Sequence, residues 1–236
     1  MITGGTTGIG YEVVKRLDRE NTLFVIAGNR HRLDALQREF PRVLICEADL
    51  AEAAAIETAV GMIQSNFERV DLLINNAAVQ HTPRFTDPDF DHASIEREIT
   101  VNFTSVCRLT ACLLPYLIAE DRASAIVNVN SGLALAPKTD SAVYCATKAA
   151  LDVFTRSLRY QLAATNVAVY QAFMPLVDTP MTEGRGSGKM SAATAANHLL
   201  NGVARGIEDH YIGKAKMLRL LITLTPWLAR RIMRGS

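Results

Sequence analysis

Tyr144 and Lys148 stand four residues apart in a run, Ala142 to Leu162, whose composition suits a helix. Residues i and i+4 share a helix face, which puts the ammonium beside the phenol. A free tyrosine ionises near ~10, a poor match to neutral pH, but an adjacent cation favours the phenolate and draws its pKa toward the working range. Ser131, just past the strand-like run Ala125 to Val129, adds a hydroxyl upstream. A lone Y-x-x-x-K is weak, because most such pairs are surface contacts. The second chemical signal is Thr3-Gly4-Gly5-Thr6-Thr7-Gly8-Ile9-Gly10, where a strand would end and a helix begin. Glycines allow positive φ and close backbone approach there, and a helix N-terminus offers N–H groups to a pyrophosphate. Its G-x3-G-x-G spacing differs from the usual G-x-G-x-x-G, and such a turn can also be only a turn.

The elements that position these residues alternate. Leu23 to Ala27, Val43 to Cys46, Leu72 to Asn75, Ala125 to Val129 and Val167 to Phe173 are nearly continuous in apolar residues, as buried parallel strands are. Ile9 to Arg19, Leu33 to Phe40, Ala51 to Phe67, Ile95 to Leu114, Ala142 to Leu162 and Ala192 to Ile207 read as the intervening helices. Strand–helix repetition implies an α/β, doubly wound, three-layer sandwich with a mostly parallel sheet. Only Met1, Ile2 and Thr3 precede the glycine turn, where ~5–6 residues are usual for a strand. Either upstream residues are missing or the first strand, central in such a sheet, is a truncated stub.

The chain has 236 residues, 49% apolar and 21% charged, with 25 basic against 24 acidic side chains. At roughly 150 residues per domain this suits one α/β domain, expected over 1–212, with a basic amphipathic tail at 213–236. That tail holds Lys214, Lys216, Arg219, Arg230, Arg231 and Arg234 and no acid. It is read as packing over the substrate mouth, on a partner subunit, or on an anionic membrane surface. Near-neutral charge speaks against nucleic acid as a partner. Cys46, Cys107, Cys112 and Cys145 are irregularly spaced, without the pattern of a zinc site or disulfide framework, so a cytoplasmic protein without a metal is expected. The start lacks a signal-peptide pattern, and the richest apolar run, Val101 to Ile118, is interrupted by Asn102, Arg108 and Pro115, so no membrane span is expected. Met181 to Lys189, with Gly184, Gly186 and Gly188, reads as a mobile loop able to close over substrate.

TGGTTGIG, Asn75-Asn76-Ala77-Ala78, Asn102, Ser131 and YCATK, in this order and at these separations, strongly resemble the short-chain dehydrogenase/reductase family over essentially the whole chain. The resemblance implies a Rossmann-type oxidoreductase moving hydride between a nicotinamide cofactor and a small carbonyl or alcohol substrate, assembled as a homodimer or homotetramer. Tyr144 matches the general acid/base, Lys148 the residue that lowers its pKa and binds the nicotinamide ribose, and Ser131 the hydroxyl that holds the substrate oxygen. Asn102 matches the residue supporting a water-linked proton path to Lys148, and its place inside a long helix implies a local distortion. Gly4, Thr6, Gly8, Ile9 and Gly10 resemble the phosphate turn, and Asp49 with Leu50 the pair that meets adenine. Asn76 and Ala77 resemble the wall beside the adenosine ribose, and Pro175, Val177 and Thr179 the nicotinamide-binding stretch.

An NAD enzyme places a carboxylate after its second strand to accept from the ribose hydroxyls. This chain has Ala27-Gly28-Asn29-Arg30-His31-Arg32 instead. With Asn29 in the contact, Arg30 or Arg32 meeting a 2′-phosphate favours NADP(H) over NAD(H); the same cations also suit a solvated helix start. Ala78 and Met174-Pro175 depart from the family's NNAG and Pro-Gly. The Pro-Leu-Val-Asp-Thr stretch and Tyr-Ile-Gly-Lys-Ala-Lys near the end look like the subgroup that often accompanies D-alanylation operons. A cofactor-binding or redox-sensing module without strong turnover is the alternative. A sugar-nucleotide epimerase is disfavoured because Thr7 breaks TGxxGxxG.

Overall fold

In the computed structural model, which describes residues 1–119 and 122–234, the apolar runs become strands and the intervening segments helices. In chain order these are β1 (Ile2–Thr3), α1 (Gly8–Leu17), β2 (Phe24–Ala27), α2 (Arg30–Glu39), β3 (Leu44–Glu47), α3 (Ala53–Asn66) and β4 (Leu72–Asn75). There follow α4 (Ala93–Ile99), a π-helical turn (Thr100–Thr104), α5 (Ser105–Ile118), β5 (Ser124–Ser131), α6 (Ala142–Gln161), β6 (Val167–Met174) and β7 (Val177–Asp178). The chain closes with β8 (Met190–Ser191), α7 (Ala192–Ala204), β9 (Asp209–Tyr211), α8 (Lys214–Leu224) and α9 (Pro226–Arg234). Among the described residues the main sheet runs β3-β2-β1-β4-β5-β6-β9, parallel at every pairing.

Continuous apolar strands need cover on both faces, and two cores supply it. On one face Val13, Val14, Leu33, Leu36, Ala195, Ala196 and Leu199 bring α1, α2 and α7 onto the sheet. On the other, Ile56, Ala59, Ile63, Leu109, Leu113, Leu117 and Leu158 bring α3, α5 and α6. The expected α/β three-layer sandwich is the observed fold. Its first strand is two residues long yet sits at the sheet's centre, with Ile2 opposite Val25 on one side and Ile74 on the other.

Several elements depart from the sequence reading. The expected helix Ile95 to Leu114 is α4, the π turn and α5 in one rod, Ala93–Ile118, long and apolar enough by composition to cross a membrane. Here its Leu109, Leu113 and Leu117 side lies in the core instead. Edge strand β9 carries Asp209-His210-Tyr211, a polar triplet without a strand signal, and pairs with Gln171 to Phe173. The tail forms α8 and α9, which leave Met217, Leu220, Leu224, Trp227 and Ile232 exposed.

A ladder of buried amides crosses β4, β5 and β6. Asn75 Nδ2 donates to Asn128 Oδ1 at 2.9 Å, Asn128 Nδ2 to Thr155 Oγ1 on α6 at 2.9 Å, and Asn130 Nδ2 to Gln171 Oε1 at 3.1 Å. The ladder fixes α6 on β5, because a shifted helix would strand a fully buried amide. Asn128→Leu, close in volume, is expected to lower the unfolding free energy by ~1–3 kcal/mol by orphaning the Asn75 amide. Urea denaturation checks this, and an unchanged midpoint would refute a structural role for the ladder.

Candidate active site

The strand order reverses between β1 and β4, and open α/β sheets bind ligands outside the carboxyl ends of the strands at such a point. Thr3, the last residue of β1, holds the two sides together: its Oγ1 accepts from Asn76 N and Ala77 N, both at 3.0 Å. Asn76 Nδ2 returns to Thr3 O at 3.0 Å and Gly4 O at 3.1 Å. Gly4 and Gly8 have φ of +68° and +56°, a region that favours glycine. A Cβ on Gly10 would lie 2.2 Å from Gly4 O, so the turn closes only on a bare backbone. Thr7 heads α1 without a side-chain cap, so the first N–H groups of the helix remain for an anion. This cradle fits a dinucleotide pyrophosphate.

Around the crevice the other expected cofactor residues fall as follows. Thr179 lies against Gly8, since a Cβ there would come within 2.8 Å of its Cγ2, and so the residues after β6 meet the glycine turn. Val177 is buried and pairs with Met190, while Pro175 packs near Gly213. Thr6 and Ile9 are half-buried. At the end of β2, Asn29 caps α2 by accepting from Arg32 N at 2.9 Å, and Arg30 pairs with Asp34 at 2.9 Å on the surface. Asp49 holds Ala51 N at 3.0 Å and Arg97 at 3.1 Å, and Leu50 is buried.

Ser131 ends β5, where it pairs with Met174 of β6. Tyr144 and Lys148 come from the first turns of α6, 8% and 3% exposed. Burial pushes the Tyr144 phenol up to about 12; a hydrogen bond with Ser131 opposes the shift, Cys145 and Glu98 add to it, and Arg185 opposes it. Burial alone pushes Lys148 down to about 8. Its Nζ donates to Val129 O at 2.9 Å and stands 5.6 Å from the centroid of the Tyr144 ring. From spacing alone Lys148 is expected to draw the phenol's pKa down. In the structure desolvation sets the balance, and the phenol stays protonated at neutral pH, the form that can donate.

Asn102 sits in the π turn, 1% exposed. Its amide pairs both ways with Val79, accepting from N and donating to O at 2.8 Å each, and also donates to Thr147 Oγ1 at 3.3 Å. The widened turn is the distortion anticipated at this residue, and it links the segment after β4 to the helix bearing Tyr144.

Two further residues escaped the sequence reading. Glu98 is 2% exposed; it accepts from His81 N at 2.7 Å and from the Tyr144 N–H in the first turn of α6, an acceptor at a helix's positive end. Desolvation raises its pKa, and these hydrogen bonds oppose the rise. The signal that could have found it is its place four residues before Asn102, on the same side of the helix. Arg185 reaches in from the glycine-rich segment to Gln80 O at 3.3 Å. That segment, expected to be a mobile loop, is tied down by Lys189 Nζ on Thr182 O at 2.6 Å and by Arg185 itself.

Residues 1–189 match the family described as short chain dehydrogenase. An uncharacterized oxidoreductase, DltE, of Bacillus subtilis is 34% identical over 184 residues, 78% of this chain and 73% of that one. A short-chain dehydrogenase from Sphingobium yanoikuyae in complex with NADPH is 26% identical with a TM-score of 0.81, covering 97% of this chain and 94% of that one. Another from Burkholderia cenocepacia J2315, in complex with NADP, has a TM-score of 0.87 at 22% identity, covering 98% and 95%, and so shares the fold.

Holding Lys148 charged in the interior opposes folding, which makes its removal informative. Its folded pKa of about 8 lies below its ordinary 10.5, so below pH 8 the charged form penalises the folded state, and the penalty fades as pH rises from about 8 to 10.5. Lys148→Met is therefore expected to raise the unfolding free energy at pH 7 by ~1–3 kcal/mol, a gain that shrinks across that window. Parallel denaturation series of both proteins at several pH values check this, and a gain independent of pH would contradict it.

Proposed function

The chain belongs to the short-chain dehydrogenase/reductase family, and from that footing we propose that it reduces a carbonyl, or oxidises the matching alcohol, with a nicotinamide dinucleotide, NADP(H) in preference to NAD(H). The observation that carries the reading is the convergence of Ser131, Tyr144 and Lys148 beside a backbone cradle at the sheet's switch point. When bound, the cofactor supplies or accepts a hydride. Gly4, Thr6, Gly8, Ile9 and Gly10 would hold its pyrophosphate, Asp49, Leu50, Asn76 and Ala77 its adenosine, and Pro175, Val177, Thr179 and Lys148 its nicotinamide half. Tyr144, kept protonated by burial, donates a proton to the carbonyl oxygen, and Ser131 stabilises charge developing there. Asn102 and Glu98 hold the helix and the facing segment at the spacing these transfers need.

The NADP(H) preference rests on Arg30 and Arg32 where a carboxylate would serve NAD(H). The Arg30–Asp34 pair is surface-exposed and weak, so Arg30 is readily given up to a phosphate. The wider proposal keeps one catalytic domain over 1–212 with the tail 213–236 beside it, in the cytoplasm. A homodimer or homotetramer through the two long helices belongs to the same proposal.

The exposed apolar face of α8 and α9 fits an anionic membrane surface: Met217, Leu220, Leu224 and Trp227 stand among Lys216, Arg219, Arg230 and Arg231. This face adjoins the site, with Leu218 over Gly132 and Thr139 donating to Arg234 O at 2.6 Å.

Calorimetric titration should give NADPH an affinity at least ~10-fold above NADH, narrowed by Arg30→Ala; tighter NADH would reverse the assignment. Tyr144→Phe should keep NADPH affinity while lowering carbonyl reduction by ~10²–10⁴-fold, and an unaffected rate would remove Tyr144 from the chemistry. For the tail, co-sedimentation with phosphatidylglycerol vesicles should exceed that with phosphatidylcholine and weaken in Arg230→Gln/Arg231→Gln. Equal retention on both would rule the membrane contact out.

A further inference from the structure

Arg185 is the one residue of its loop whose charge is turned inward with bonding capacity to spare. Gly184 and Gly186, at φ of +72° and +54°, reverse the backbone on either side of it, and a Cβ on Gly186 would stand 2.6 Å from Leu176 Cδ2, so the loop lies flat on the segment after β6. The neighbouring cations are satisfied locally: Lys189 by Thr182 O and Asp178, Lys214 by Gly188 O. The Arg185 guanidinium instead passes beneath the loop to Gln80 O, with a second nitrogen, Nη1, buried and without a hydrogen-bond partner.

No protein acceptor among the described residues lies within hydrogen-bond distance of that nitrogen. Glu98, the nearby carboxylate, takes hydrogen bonds from the backbone N–H groups of His81 and Tyr144, and among the described residues it makes no ion pair with Arg185 within 4.0 Å. Arg185 still acts electrostatically on both Glu98 and Tyr144, so its charge is felt at the site. Gln80, which receives it, is bonded through Nε2 to Ser141 Oγ at 3.1 Å, and Ser141 heads the helix carrying Tyr144. Arg185 as a whole is half-buried, and an oxyanion is the partner that the planar fork of a guanidinium with an unpaired nitrogen suits.

We propose that Arg185 binds an oxyanion of the substrate, so that the preferred carbonyl compound is an acid carrying a carboxylate or phosphate apart from the carbonyl that reacts. The proposal rests on the reductase reading above, for which it names the substrate class. It makes Arg185 a specificity residue delivered by the loop, its charge felt at Tyr144.

The test uses matched charged and neutral probes on the full chain, with and without NADPH. Acetoacetate is compared with methyl acetoacetate, and dihydroxyacetone phosphate with dihydroxyacetone, by calorimetry and by NADPH consumption. The wild type should bind at least one acid ~10-fold or more tightly than its neutral counterpart, and the two pairs separate a carboxylate from a phosphate preference. Arg185→Gln should erase the preference, and Arg185→Lys, which keeps the charge without the planar fork, should retain part of it. No acid preference in the wild type, or one that persists in a folded Arg185→Gln, would overturn the proposal. If Arg185→Gln does not fold, the wild-type comparison and Arg185→Lys decide alone: an undiminished preference in Arg185→Lys counts against the fork. Acid preference without turnover of any probe would sink the reductase reading and leave the anion site standing. Turnover of charged and neutral probes alike would do the reverse.

Discussion

A lysine ammonium in the interior governs how the rest of this molecule is built. Lys148 is 3% exposed and driven by desolvation to about 8, so it is tolerated only where the backbone supplies an acceptor. That acceptor is Val129 O, and Val129 is the first residue of β5 beyond its last pairing with β4, Asn75 opposite Asn128. β5 continues to Ser131 paired with β6, so the strand that outruns its neighbour provides both the lysine's anchor and the serine hydroxyl. The amide ladder from Asn75 through Asn128 to Thr155 then holds α6 at the height where Lys148 meets that carbonyl. Packing, register and acid–base chemistry are here one problem with one solution.

The cofactor side is built on the opposite principle. Its surfaces are backbone, and side chains serve to hold the backbone still. Thr3 and Asn76 stitch β1 to the end of β4 by four hydrogen bonds, which hold the glycine turn at a defined place. Gly10 has no room for a methyl group, and Gly4 and Gly8 adopt a conformation other residues resist.

Much of this was legible in the residues. The alternation of apolar runs with helical segments announces the layers, because a parallel strand buried on both faces has no other composition available. Tyr144, Lys148, Ser131 and the glycine turn declare themselves by spacing. What stayed hidden depends on tertiary contact. Glu98 reads as one more surface charge until α4 is known to face α6, and Arg185 reads as loop filler until the glycines beside it are seen to turn it inward. β9 has a polar sequence and is a strand only because β6 offers it an edge. Nor could spacing reveal that Tyr144 is governed by burial, since desolvation belongs to the folded environment.

The π turn at Thr100–Thr104 has an effect on the long rod that contains it. One extra residue per widened turn rotates everything downstream by ~100° relative to an unbroken α-helix. Glu98 before the turn, Asn102 within it and Leu109, Leu113 and Leu117 after it are all buried, so one rod presents a polar pair toward the helix bearing Tyr144 and a leucine seam to the core.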